Sequence, residues 1–281
     1  MVVIRPSSIP KLFNKEEKNM KVSGIITLLS PLSHTEQNDG TYSTFRRMTI
    51  FLDGQEHRVP ILSGNSIRGQ FRRALMSDLI HNLNLTISEI GEDLYYTLFV
   101  GGRLKKGRKA KTESIPPKEI RELIPPLSIL GSAFAQRIMP GKLICGMAIP
   151  IAKETTEMTN IESDISIYSL TEEIPYSRRD DLEEKERKTK DKAQMQYHVE
   201  VLKAGVNLSH FFALSECTEI EIAAFWRGLR LLAEGRHLGG MKSKGHGRFR
   251  WSYGEGDETD YVKHLEKYKQ EIKEMIMRLG E

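Results

Sequence analysis

Apolar residues along this 281-residue chain recur with two periods, alternate positions in some stretches and every fourth position in others. Met20–Leu29 (MKVSGIITLL) is rich in β-branched and apolar residues and predicts the first strand. Residues 30–45 are polar with turn residues throughout, so a loop is expected there. Arg46–Leu52 and His57–Leu62 predict two short strands joined by a hairpin turn at Asp53-Gly54. After Ser63-Gly64-Asn65-Ser66, the residues Ile67, Phe71, Leu75 and Leu79 fall four apart, a stripe that predicts a helix lying on a sheet. Ile87–Val100 predicts a second helix, and the proline pairs at 116–117 and 125–126 bracket a short one. Leu127–Arg137 is apolar with a break at Gly131-Ser132, and Lys142–Ile151 predicts a buried strand.

Residues 152–200 change texture. They are charge-dense and contain SRRDDLEEKERKTKDK, seven basic residues against six acids, which no core can bury. An exposed insertion or hairpin is expected here. Strand texture returns at Met195–Leu202 and Val206–Leu214. Thr218–Gly235 predicts a helix with Ile222, Phe225, Leu229 and Leu232 as its stripe. A short strand at Arg248–Tyr253 and a charged helix from about Thr259 close the chain. The order strand, helix, several strands, helix, strand resembles a ferredoxin-like βαββαβ core elaborated by insertions, an α+β class.

The net charge is only +4, so the distribution of charge says more than its sum. Positive residues gather in acid-free islands. Residues 101–111 (GGRLKKGRKAK) hold six basic residues and no acid, which suits a solvated loop or a nucleic-acid contact. Cys145 and Cys217 are the only cysteines, too few for a cysteine-rich zinc site, and they read as reduced core thiols. No apolar run approaches a membrane span and the first residues lack a signal-peptide core. The expectation is a cytoplasmic protein with no membrane partner, no cofactor and no metal.

Two basic stretches carry the candidate chemistry. Gly239–Arg248 (GGMKSKGHGR) joins four glycines to two lysines, a histidine and an arginine, and no acid occurs from Gly235 to Gly254. Glycines free the backbone to turn its N–H groups outward, and lysines beside them attract phosphate. The stretch reads equally as a solvated turn. It lacks the helix that follows a nucleotide-binding P-loop. In the helix that starts near Ser63, Arg68, Arg72 and Arg73 lie off the apolar stripe near the N-terminal end, where the helix dipole disfavours cations. A docked phosphate would remove that conflict, and solvation would also tolerate it.

Three motifs in order carry a resemblance: Pro60–Arg73 (P-x-x-S-G-x-S-I-R-G-x-x-R), Arg178–Gly205 (RRDD…MQYHVEVLKAG) and Arg236–Arg248 (R-x-L-G-G-x-x-x-x-G-x-G-R). Together, across residues 20 to 253, they resemble the RAMP proteins of CRISPR effector complexes. More narrowly they resemble the Cas-seven-type backbone subunit, closest to those of type IV or type I-D. The resemblance implies one domain over residues 1–281: an RRM/ferredoxin-like palm with a basic finger at 101–114 and a thumb at 152–203. It implies several copies stacked along one CRISPR RNA with other effector subunits, presenting the guide to complementary target DNA or RNA. Asn65, Ser66, Arg68, Gly69, Arg72 and Arg73 would then grip guide phosphates from the helix. Gly240, Lys242, Ser243, Lys244, His246 and Arg248 would grip them from the loop, and Lys105, Lys106 and Arg108 from the finger. The thumb would bring Arg178, Arg179, Met195 and Tyr197, with Met195, Tyr197 or Met158 as the wedge beside a displaced nucleotide or as plain hairpin packing. Such binding has to ignore base identity, which favours contacts to phosphate and ribose.

Some relatives of this kind cut RNA with an aspartate after the first strand. The matching residues 30–45 offer His34, Glu36 and Asp39, and a carboxylate with a histidine suits acid–base chemistry. Asp39-Gly40 also reads as a turn pair. RAMP proteins that process guides make a further alternative, with His246 or His34 as the acid–base group. A generic RRM-type protein is disfavoured because the aromatic RNP run is absent.

Overall fold

The alternation of Val22, Ile26 and Leu28 with Lys21, Ser23 and Thr27 turns one face of β1 (Lys18–Leu28) inward and the other outward. The computed structural model describes residues 18–104, 115–134, 137–178 and 195–280. After β1 the chain forms β2 (Thr35–Asp39) and β3 (Tyr42–Phe45), then a second hairpin of β4 (Arg47–Leu52) and β5 (Gln55–Pro60). The expected turn at Asp53-Gly54 closes the second hairpin, with Leu52 opposite Gln55. The expected loop at 30–45 is corrected: most of it is the β2–β3 ribbon. Its side chains are exposed along β2, so no apolar alternation marks it. Its strand character comes from the pairing of β2 with β3, and β3 also meets a distant strand.

Ser63 caps α1 (Gly64–Asn82), its hydroxyl accepting from the Ser66 N–H at 3.3 Å. Ile67, Phe71, Leu75 and Leu79 are all buried on it, as the spacing predicted. Next come α2 (Ile87–Tyr95), bent at Gly91, and a π-helical turn over Tyr96–Val100. Short helices α3 (Pro117–Leu123) and α4 (Pro125–Leu130) follow, both opening on proline. A small hairpin of β6 (Ser132–Phe134) and β7 (Arg137–Met139) comes before the expected strand at 142–151. That strand is split into β8 (Leu143–Cys145) and β9 (Ile149–Pro150).

The region expected to be wholly exposed from residue 152 is corrected in its first part. Around α5 (Thr156–Thr159), Ala152, Thr155, Ile167 and Leu170 are buried in the body. The rest is a ribbon, β10 (Thr171–Arg178) paired antiparallel with β11 (Met195–Leu202). There follow β12 (Asn207–Cys217), α6 (Glu219–Gly235), β13 (Phe249–Trp251), α7 (Thr259–Lys267) and α8 (Lys269–Leu279).

The main sheet runs β13-β1-β12-β8, with β9 also on β12, and every pair is antiparallel. With α1 after the first strand and α6 after the third, this is the ferredoxin-like order of strands. Phe71 of α1, Phe225 of α6 and Phe212 of β12 meet at ring distances of 5.5 to 5.8 Å and tie both helices to the sheet. A second sheet, β10-β11-β3-β2, carries the inserted ribbon out from the body. This sheet joins β11 to β3 in parallel over only His198–Tyr42 and Val199–Ser43.

Candidate nucleic-acid interface

Residues 31–34, the start of α1 and the glycine-rich loop converge at one end of the main sheet. The Gly247 N–H donates to the Pro31 carbonyl at 2.8 Å and the Gly240 N–H to the Ser33 carbonyl at 2.8 Å. From α1, Gln70 Nε2 donates to the Gly239 carbonyl at 3.0 Å. The backbone has to turn sharply to make these bonds. Gly239 and Gly247 take φ of +71° and +77°, and a Cβ on Gly247 would collide with the Leu238 carbonyl. Between them Met241, itself left-handed at φ 56°, starts a single 3-10 turn over Lys242–Lys244. This left-handed-to-right-handed step is the backbone form that lines up successive N–H groups toward an anion. Lys242, Ser243, Lys244 and Arg248 are exposed around it.

His34 is spent on holding the helix start. Its Nε2 accepts from the Ser63 N–H at 3.3 Å and lies 3.1 Å from the Ser63 hydroxyl that caps α1. Burial and the nearby Arg46 lower its pKa, so it is neutral at pH 7. Asp39 sits at the far end of β2 on an exposed turn, about 16 Å along an extended strand from His34. The two do not come together as a catalytic pair. Among the described residues no cluster of histidine, cysteine and carboxylate groups is arranged to hold a metal.

The three arginines of α1 have different fates. Arg72 is 6% exposed and donates to the carbonyls of Leu98 at 3.4 Å, Leu130 at 2.8 Å and Gly131 at 3.0 Å. Burial, with Arg68 beside it, pulls its pKa down to about 10, which leaves it charged at neutral pH. Arg68 donates to the Leu143 carbonyl at 3.1 Å and the Leu130 carbonyl at 2.6 Å. Leu130 ends α4, where carbonyls lack helical partners and the dipole is negative, so both guanidinium groups act as caps for that helix. The solvent-facing position expected of Arg72 is therefore corrected. Arg73 is exposed and makes no ion pair among the described residues. Asn65, Arg68, Arg72, Arg73, Phe99 and Val100 line a shallow cleft of about 360 Å³. At about 100° per residue, Arg73 lies on α1 between that cleft and the loop-facing Gln70. Ser66 is half-buried in the capped turn, as is Gly69 in the next.

The inserted ribbon reaches the loop from the other side. Tyr176 and Tyr197 are cross-strand partners with rings stacked at 5.5 Å. The Lys244 ammonium lies 4.1 Å from the Tyr176 ring centre and 4.5 Å from that of Tyr197, and also bonds the Tyr197 hydroxyl. The Tyr176 hydroxyl shares a hydrogen bond with His246 Nε2. His246 is 3% exposed and its Nδ1 has no partner among the described residues. Burial and then Lys244 lower its pKa, so it too is neutral at pH 7. The sequence singled out Tyr197 without Tyr176; their shared face is legible only once the register of β10 and β11 is known. Arg178 and Met195 pair at the outer end of the ribbon. Lys105, Lys106, Arg108 and Arg179 lie outside the described residues. Met158 is exposed at 46% on α5, away from the ribbon strands in sequence.

A family model for the RAMP superfamily matches residues 50–250, which takes in α1, the ribbon and the glycine-rich loop. The chain belongs to the RAMP superfamily. Among solved structures this RAMP protein is similar to a chain described as "Type IV-B CRISPR Complex", with a TM-score of 0.62 and 21% identity. The match covers 84% of this chain and 90% of that one, so the two share the fold nearly end to end. The family resemblance read from the three motifs is borne out, as is the α+β fold class. No curated protein matches the sequence. No helix among the described residues is long and apolar enough to cross a membrane.

Proposed function

We propose that this RAMP protein is a backbone subunit of a CRISPR effector complex, close in kind to type IV. Copies of it bind along one CRISPR RNA, together with other effector subunits, and present the guide to complementary DNA or RNA in defence against foreign genomes. The observation that carries this is the exposed cationic turn Lys242–Lys244, set by glycines beside the capped start of α1 and next to the unpaired Arg73. The turn and Arg73 offer exposed positive charge, which suits phosphate contacts and supports binding that ignores sequence. The fold likeness to a chain of a type IV-B complex supports the assembly. His34 and His246 are engaged inside the fold and Asp39 stands apart from His34 along β2, which supports holding RNA over cutting it.

The test is binding of the purified protein to single-stranded RNAs of different sequence and length over a salt series. Affinity is expected to rise with length and to be indifferent to sequence. The log–log salt slope is expected at roughly −2 to −4 per copy, for about three to five phosphates neutralised. Affinity that does not change with salt, or that follows base sequence, would overturn the reading.

A further inference from the structure

We propose that Lys244 is a toggle: it holds the inserted ribbon against the loop in the free subunit and leaves the ribbon when it takes an RNA phosphate. This rests on the RNA-binding reading above and adds a regulation of the same site. Among the described residues, the hydrogen bonds and ring contacts between ribbon and loop come from four side chains, Tyr176 and Tyr197 from β10 and β11, Lys244 and His246 from the loop. The two rings are nearly parallel, 23° apart, and present one face that the ammonium covers. Val199 and Val201 continue this face of β11 into the core, with the tyrosine pair outward of them. Nearer the body the ribbon is held by backbone, Leu202 exchanging two hydrogen bonds with Leu32, and by the Glu200–Arg47 ion pair. β3 also holds the ribbon, through His198 and Val199 of β11 and through the Tyr42 hydroxyl donating to Glu173. Among the described residues the loop contact is therefore what restrains the ribbon outward of His198.

Lys244 is exposed, and its neighbours Lys242 and Ser243 point no ring contact at the ribbon. A phosphate arriving at the 3-10 turn offers the ammonium a full negative charge, against the partial charge of two ring faces. One lysine cannot serve both. Occupation of the turn by RNA then removes two ring contacts and one hydrogen bond between loop and ribbon, and Tyr176–His246 is the described loop contact that stays. Loop and ribbon are thereby coupled through a two-position side chain, the kind of bistable element that coupling requires.

The experiment is hydrogen exchange on the full chain, wild type and Lys244→Met, free and saturated with oligouridylate at low salt. In the free protein, Lys244→Met is expected to speed exchange in β10 and β11 about fivefold, the factor that matches loss of one exposed cation–π contact. Oligouridylate is expected to bring the wild-type ribbon to the same rate and to leave the variant unchanged. A free variant that exchanges like wild type shows no latch and overturns the toggle whatever RNA does. RNA that binds wild type without speeding the ribbon also overturns it, while the binding reading stands. Absence of RNA binding by wild type removes both. A second variant gives the sign: Tyr197→Leu is expected to raise RNA affinity about fivefold by releasing Lys244. A loss of affinity would mean that the ring itself touches RNA, and would overturn the toggle.

Discussion

The arginines of α1 and the cations of the glycine-rich loop look alike as strings of letters, and the structure puts them to opposite uses. Arg68 and Arg72 turn toward carbonyl groups that end a helix about sixty residues downstream. Lys242 and Arg248 stand in solvent on a turn held by its glycines, and Lys244, also exposed, rests its ammonium on the Tyr176 and Tyr197 rings. Both sets lack a carboxylate partner among the described residues. The difference lies in what the neighbouring backbone offers. At α1 a helix C-terminus supplies acceptors and the guanidinium groups are consumed by the fold. At the loop the backbone carbonyls of Pro31, Ser33, Met241 and Lys242 are taken by backbone N–H groups, so the charges of Lys242 and Arg248 are left for an external anion. An acid-free basic stretch is thus a binding site only where the fold provides no carbonyls to absorb it.

The largest effect expected from this contrast is on stability. Arg72→Met keeps the volume but strips donors from the Leu98 and Gly131 carbonyls and one of two from Leu130. A loss of about 2–3 kcal/mol in urea unfolding is expected. A variant as stable as wild type would mean that the carbonyl contacts are dispensable and would return Arg72 to the pool of free cations.

What could be read in advance follows the same division between local and distant causes. The α1 stripe and the Asp53-Gly54 turn are set by neighbours in sequence, and both stand in the structure. The β2–β3 ribbon is not legible in the sequence because its strands hold no alternating apolar residues; they pair with each other around Gly40, and β3 alone also meets β11, about 155 residues away. Arg72 was misplaced because its acceptors belong to α4 and the π-helical turn. Tyr176 escaped notice because it matters only opposite Tyr197 and beneath Lys244, seventy residues on. His34 reads in the sequence as a candidate acid–base group, and Ser63 only as the start of a helix. Nothing local said that one would hold the other.

The next effect is on binding. Lys242→Ala with Lys244→Ala is expected to weaken RNA binding about tenfold near 0.1 M salt. The salt slope should become shallower by about 1.4, because two cations no longer release counterions. Unfolding should move by no more than about 0.5 kcal/mol, since both residues are exposed. Unchanged affinity would make the loop an ordinary solvated turn and erase its contrast with α1.

The smallest expected effect is the sharpest for the comparison, because Arg73 adjoins Arg72 on the same helix. Arg73 is exposed and its guanidinium meets no carboxylate among the described residues, so the fold has no claim on it. It stands on α1 between the cleft that Arg68 and Arg72 line and the Gln70 that holds the loop. Arg73→Ala is therefore expected to behave like the loop and unlike its neighbour: affinity down about threefold, salt slope shallower by about 0.7, and stability within about 0.5 kcal/mol of wild type. Urea unfolding and an RNA titration at three salt concentrations, run on Arg72→Met and Arg73→Ala side by side, give the comparison directly. If Arg73→Ala instead loses stability and keeps its RNA affinity, the whole face of α1 is structural. The grip would then rest on the glycine-rich loop alone.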